Sequence, residues 1–227
     1  MSIDLVGFDV PPYRLSGTVY GTLLNHRRAL EALGSAVDAP PYKGAPKAPV
    51  LYVKPRNTLA RSGDPIEVPA DAGALEVGAA LGLVIGRTAC RVGVDDALDY
   101  LAGYTVVADY SVPHDSFYRP SIRFKARDGS CPIGPALATR DRIADADDLV
   151  VEVSVDDQVV HTTSTCGMIR NVRHLLADVT EFMTLRPGDV LMLGVAAGAP
   201  RVGAGHRVGV AIPLVGRIDN TLVEERA

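Results

Sequence analysis

Asp109, His114, Asp115, Arg119, Arg123, Lys125, Arg127 and Asp128 crowd into VVADYSVPHDSFYRPSIRFKARDGSCPIGP, residues 106–135. The apolar lead-in reads as a strand ending near Asp109, and Lys125 precedes a turn. A carboxylate at a strand end, with an ammonium sixteen residues later, suits polarising an oxyanion or an enolate. A polar loop after a strand is the plain alternative. Arg127 and Asp128 read as braces for the turn before Cys131, because short polar side chains stabilise turns.

Positioning these groups falls mainly to strands. VLYVKP, LGLVIG, YTVVADYSV, DLVVEVSVDDQVVH, DVLMLGV and RVGVAIPLVGRI are β-branched or aromatic runs broken by Gly, Pro and Asp. Within VSVDDQVV, Asp156-Asp157 separates two alternating arms, which predicts a hairpin. NHRRALEALGSAV predicts a helix capped by Asn25, and MIRNVRHLLADVTEFMTL a second that stops at Pro187-Gly188. DDALDYLAG predicts a shorter helix with Gly103 at its C-cap. Strands do not alternate regularly with helices, so the class is β-rich α+β rather than a doubly wound sheet. The Pro-rich PPYKGAPKAP, residues 40–49, is either a stiff connector or part of a site mouth.

Composition narrows the function. At 227 residues the chain can bury one full core. A net charge of −4, with no basic run, gives no reason to expect nucleic acid as a partner. No apolar run reaches membrane-spanning length and the N-terminus has no leader pattern, so no membrane partner and a cytoplasmic location are expected. Cys90, Cys131 and Cys166 match neither a zinc pattern nor a disulfide framework and are expected as buried free thiols. His161, His174 and His206 are scattered without metal-ligand spacing. P-loop, Rossmann and HExxH motifs are absent; GVAAGAPRVGAG joins strand to strand.

Several phrases, in order, carry a resemblance: VKPRNTL, IGRTACRVGVDDALDYLAGYTVVADYS, KARDGSCPIGP, TCGMIRN and LRPGDVLMLG. Together they resemble the fumarylacetoacetate hydrolase superfamily over about residues 20 to 223. LLNHRRAL and SFYRPSIRFKARDGSCPIG are similar to the N-terminal half of its isomerase/decarboxylases of 4-hydroxyphenylacetate degradation. The resemblance implies layered sheets forming a roll or barrel with a few flanking helices, as one domain over 20–227 behind an extension, 1–19. It also implies a homodimer, or a heterodimer with a homologous metal-bearing subunit. The substrates implied are small dicarboxylate or tricarboxylate oxo-acids.

The resemblance further implies Mg²⁺ or Mn²⁺ held by a Glu-x-Glu pair and an Asp. Those glutamates fall on Gly78 and Ala80, so only Asp109 matches, and no tightly bound cofactor is expected. Glu76 lies on the same strand face as Gly78, about 7 Å away, and with Asp109 forms the one alternative metal pair. The family's His-x-x-Glu falls on Ala29 and Ala32. Lys125 and Thr165 do match. Lys125 is assigned to enolate stabilisation, Asp109 or His26 to proton transfer, and Arg119 to carboxylate binding. His114, Tyr118 and Arg123 are further candidates for gripping a dicarboxylate. Two functions stand: an isomerase, with decarboxylation as a second activity, or a non-catalytic partner of a metal-bearing homologue.

Overall fold

A computed structural model describes residues 6–7 (backbone), 17–114, 116, 117, 121–134 and 136–226. Two sheets carry it. The larger follows the order β1 (Val6–Gly7), β9 (Ala136–Thr139), β7 (Leu101–Ser111), β6 (Leu75–Ile85), β12 (Val190–Met192), β2 (Val19–Leu23) and β3 (Val50–Lys54). Off this path, β13 (Arg201–Val202) pairs with β6, and β8 (Cys131–Ile133) joins β7 to β4 (Leu59–Arg61). The smaller sheet runs β11 (Gln158–Ser164), β10 (Val150–Val155), β14 (Arg207–Ile212), β15 (Gly216–Glu224) and β5 (Pro65–Val68). The β-rich α+β reading holds, with the larger sheet curled into a half-barrel.

The antiparallel pair β6–β7 is the spine. Each strand is buried along nearly its whole length, which is why both read as continuous apolar runs rather than alternating ones. Periodicity still sorts their faces. Val77, Leu81, Val106, Ala108 and Tyr110 pack against Val153, Val210, Ile218 and Leu222 of the smaller sheet. Ala80, Val84 and Val107 instead join Val19, Cys131, Val190 and Met192 on the concave side. Asp109 is two residues beyond Val107, so it stands on that concave face, opposite Gly78 in register.

The hairpin forms as expected: Asp156 and Asp157, at φ 49° and 66°, join β10 to β11. Helix limits differ from the periodic pattern. α1 (Arg27–Glu31) is capped by His26, not Asn25. Asn25 is already committed: its amide donates to Leu193 O at 2.7 Å and Arg170 O at 3.0 Å. α3 (Val172–Phe182) starts four residues later than predicted, because Asn171 accepts from His174 N at 3.0 Å and sets the first turn there. Ile169 therefore lies outside the helix. The helix predicted for DDALDYLAG, residues 95–103, is only a 3₁₀ turn, Ala97–Tyr100, and Gly103 is part of β7. No side chain fits there, since a Cβ would strike the Ala138 carbonyl.

Only Cys131 is buried; Cys90 and Cys166 are exposed, contrary to the expectation of three buried thiols. Burial pushes the Cys131 thiol up to about 12, so it is a packing residue rather than a nucleophile. Among the described residues, no helix is long and apolar enough to cross a membrane.

Candidate active site

A cavity of about 430 Å³ opens on the concave face of the larger sheet. Asp109 lies at its wall with a fully buried side chain. An isolated carboxylate there would be costly, so its partners define the site. Lys54 Nζ lies 2.9 Å from Oδ1, and Lys125 Nζ lies 2.8 Å from Oδ2. Tyr52 also donates to Oδ2, at 2.5 Å. Two ammoniums and a phenol thus surround one carboxylate.

The three partners arrive by two routes. Tyr52 and Lys54 are two apart on β3 and project to the same face. Tyr52 sits opposite Gly21 of β2, and a Cβ on Gly21 would fall inside the Tyr52 ring. Lys125 ends α2 (Ile122–Lys125), a single turn tied to the end of β7 by Val112 N donating to Phe124 O at 3.0 Å. Lys54 also donates to the Lys125 main-chain oxygen and, at 3.1 Å, to Ser130 Oγ. All three of its N–H groups are engaged. Among the described residues Lys125 has one such bond, to Asp109; it stands 4.7 Å over the Tyr52 ring and lines the cavity. Lys54 therefore holds the site together, while Lys125 keeps donors for a ligand.

Electrostatics follow from this packing. Burial alone would raise the Asp109 pKa, but the Lys125 and Lys54 charges and the bonds from Lys125 and Tyr52 outweigh it. The carboxyl is held well below the usual carboxylate range and is a weak base. Burial and the Asp109 charge push the Tyr52 phenol well above 10, so it remains a neutral donor.

The expected residues are only partly brought together. Asp109, Lys125, Glu76 and His114 line the cavity; His26, Thr165 and Arg123 do not. His26 Nδ1 accepts from Arg28 N at 3.2 Å, and its ring fills the space left by Gly167. Thr165 donates to Ala146 O at 2.9 Å and accepts from Leu149 N at 2.8 Å. Arg123 faces Asp71 at 3.8 Å, both largely exposed. Tyr118 and Arg119 lie outside the described residues. Asp128 does brace its turn, accepting from Asn57 at 2.6 Å. The Pro-rich loop does not line the cavity, but Tyr42 OH accepts from Phe117 N at 2.9 Å, and Phe117 does. Reading the sequence missed Lys54 and Tyr52. Their signal was the alternation in VLYVKP, which puts a lysine on the inner face of an apolar strand, where it needs a counterion.

A divalent ion does not fit the donors present. Both Asp109 oxygens are already bonded to cations or a phenol. Gly78 and Ala80 offer no ligand, and a Cβ on Gly78 would meet Val195 Cγ2 at 3.1 Å and Asp109 O at 3.0 Å. Among the described residues, no three His, Cys, Asp or Glu side chains gather as ligands.

Gly21→Ala tests the Tyr52 slot. The new methyl displaces the ring and its bond to Asp109, with an expected loss of about 1–3 kcal/mol in urea unfolding. A midpoint unchanged from wild type would show that the ring has another place to lie.

The sequence and the curled-sheet fold belong to a known class. The family described as fumarylacetoacetate (FAA) hydrolase C-terminal matches residues 18–223, and the chain belongs to it. The chain is 38% identical over 212 residues to the 4-hydroxyphenylacetate degradation bifunctional isomerase/decarboxylase of Escherichia coli. That match covers 93% of this chain and 48% of the relative, so the chain spans about half the length of such curated relatives. Among solved structures it is similar to 5-carboxymethyl-2-hydroxymuconate delta-isomerase from Mycobacterium smegmatis, with TM-score 0.79 and 27% identity over 94% of this chain and 81% of that one. It is also similar to 2-hydroxyhepta-2,4-diene-1,7-dioate isomerase from Mycobacterium marinum, with TM-score 0.78 and 27% identity over 94% and 77%.

Proposed function

We propose that this chain isomerises 2-hydroxyhepta-2,4-diene-1,7-dioate to its 2-oxo-3-ene form, in 4-hydroxyphenylacetate degradation, without a tightly held metal. The observation that carries the reading is the Asp109 carboxylate at the cavity wall, held by two ammoniums, of which Lys125 lines the cavity. The reaction removes a proton from the C2 hydroxyl and adds one at C5. The O–H pair becomes the second C2–O bond, the C2–C3 double bond moves to C3–C4, and the C4–C5 pair takes the new proton. Negative charge builds on the C2 oxygen in between, and a preorganised ammonium stabilises it there. Arg201, at the cavity rim, is a cation for the distal carboxylate. Decarboxylation of 5-oxopent-3-ene-1,2,5-tricarboxylate needs a stronger electron sink and suits this donor set less well.

A second reading has its own observation. Gly78, Ala29 and Ala32, which replace the family's reactive side chains, all line this one cavity. Such a chain would serve as the structural partner of a metal-bearing homologue. Both readings meet one experiment: the purified chain, treated with EDTA, is followed by ultraviolet loss of the hydroxydienoate. Turnover undiminished by EDTA is expected. Turnover appearing only when a homologous half bearing Glu-x-Glu is added would transfer the function to the second reading.

A further inference from the structure

A proton shift needs a group that can take a proton and give it back, and the cavity offers few. Ala29 and Ala32 carry none, and His26 does not reach the lining. Both Asp109 oxygens are bonded to ammoniums or to the Tyr52 phenol, and that phenol is held in its neutral form. His114 borders the cavity, but its Nε2 is buried and its Nδ1 is engaged by the Val112 carbonyl oxygen at 3.0 Å. Lys125 and Arg201 are the cations that hold the substrate's charges. Of the described residues that line the cavity, Glu76 is the titratable group that remains.

Strand register puts Glu76 between those two cations. On β6 it faces Arg201 of β13 on one side and Ser111 of β7 on the other, and residues paired in this way project to the same face of the sheet. Gly78 faces Asp109 one step along that face. Glu76 is thus a diagonal neighbour of Asp109, about 7–8 Å away, a separation that long side chains reach across. Lys125 Nζ stands 2.8 Å from the far carboxylate oxygen, Asp109 Oδ2. The Glu76 carboxylate has no hydrogen bond or ion pair among the described residues, not even with Arg201 opposite it. The Ser111 hydroxyl beside it has no partner either, although Ser111 is only 3% exposed and lines the cavity. Polar groups left unpaired at a cavity wall call for an explanation, and a bound ligand supplies one.

We propose that Glu76 is the proton-transferring catalytic residue of this site, acting on a 2-hydroxydiene dicarboxylate. The assignment rests on the isomerase reading above. With the C2 oxygen on Lys125 and the C7 carboxylate on Arg201, C5 lies two bonds from that carboxylate, on the stretch of substrate that crosses β6 at Glu76. The Glu76 carboxylate accepts the proton of the C2 hydroxyl, and the resulting carboxylic acid delivers a proton to C5, so the side chain returns to its starting state. Lys125 holds the C2 oxygen while it is charged.

The test compares Glu76→Gln and Glu76→Ala with wild type on the hydroxydienoate, with circular dichroism reporting the fold. EDTA is present throughout, so that no loss can come from a divalent ion on Glu76 and Asp109. Turnover is expected to fall by about 10²–10⁴-fold with KM changed only several-fold, and free formate to restore part of it in Glu76→Ala. Should one variant not fold, the other carries the comparison. A folded variant within about threefold of wild-type kcat, or a loss carried by KM alone, would overturn the assignment while leaving the isomerase reading intact. Failure of the wild-type chain itself to turn over in EDTA would remove both.

Discussion

Asp109→Ala is expected to destabilise the protein by about 3–5 kcal/mol, because it leaves buried ammonium charge without its counterion. Lys54 has a side chain with no exposed surface, and that of Lys125 is only 10% exposed, so neither can turn to water without opening the sheet. The carboxylate is shared by both, and among the described residues no other acid pairs with either ammonium. Urea unfolding at neutral pH measures the loss. Adding Lys54→Met to Asp109→Ala removes the more deeply buried orphan and should recover part of it. The same carboxylate gives the fold an acid limb. Its pKa is depressed on folding, so its contribution is present above the unfolded value of about 4 and disappears as pH falls through the lower folded value. Asp109→Asn should flatten this limb below about pH 4. An Asp109→Ala protein as stable as wild type would mean that the lysines find other partners, and the account of the site would fail with it.

Lys125→Met should lower isomerisation by about 10²–10³-fold, the usual effect of deleting one donor to a developing oxyanion, with a much smaller change in stability. The contrast with Lys54 makes this specific. Lys54 spends its donors on Asp109, Ser130 and the Lys125 main chain, whereas Lys125 gives one to Asp109 and stands at the cavity. After Lys125→Met, Asp109 keeps Lys54 and Tyr52, so the wall stays neutralised. Steady-state kcat with unfolding midpoints for both lysine variants separates the roles. A Lys125→Met enzyme with near wild-type kcat would move enolate stabilisation elsewhere.

Much of this was written locally in the chain. Alternation and β-branched runs located the long strands, Asp156-Asp157 marked its hairpin, and ordered phrases such as KARDGSCPIGP carried the family. Asp109 and Lys125 were readable as a pair because only one loop separates them.

Lys54 and Tyr52 were not readable as site residues, although they lie 55 and 57 residues before Asp109 in plain view. A sequence period reports which side chains share a face, but not which face of another strand they meet. β3 reaches Asp109 only because β2, β12 and β6 intervene in the sheet and the sheet curls. The same long-range pairing committed Asn25 to Leu193 and placed Gly103 within a strand. It also set His26 against Gly167 and His114 in the cavity. Residue types fixed what chemistry was available; the closing of distant strands onto one another decided which groups were near enough to perform it, because Coulomb and hydrogen-bond energies depend on distances of a few ångströms that no local pattern encodes.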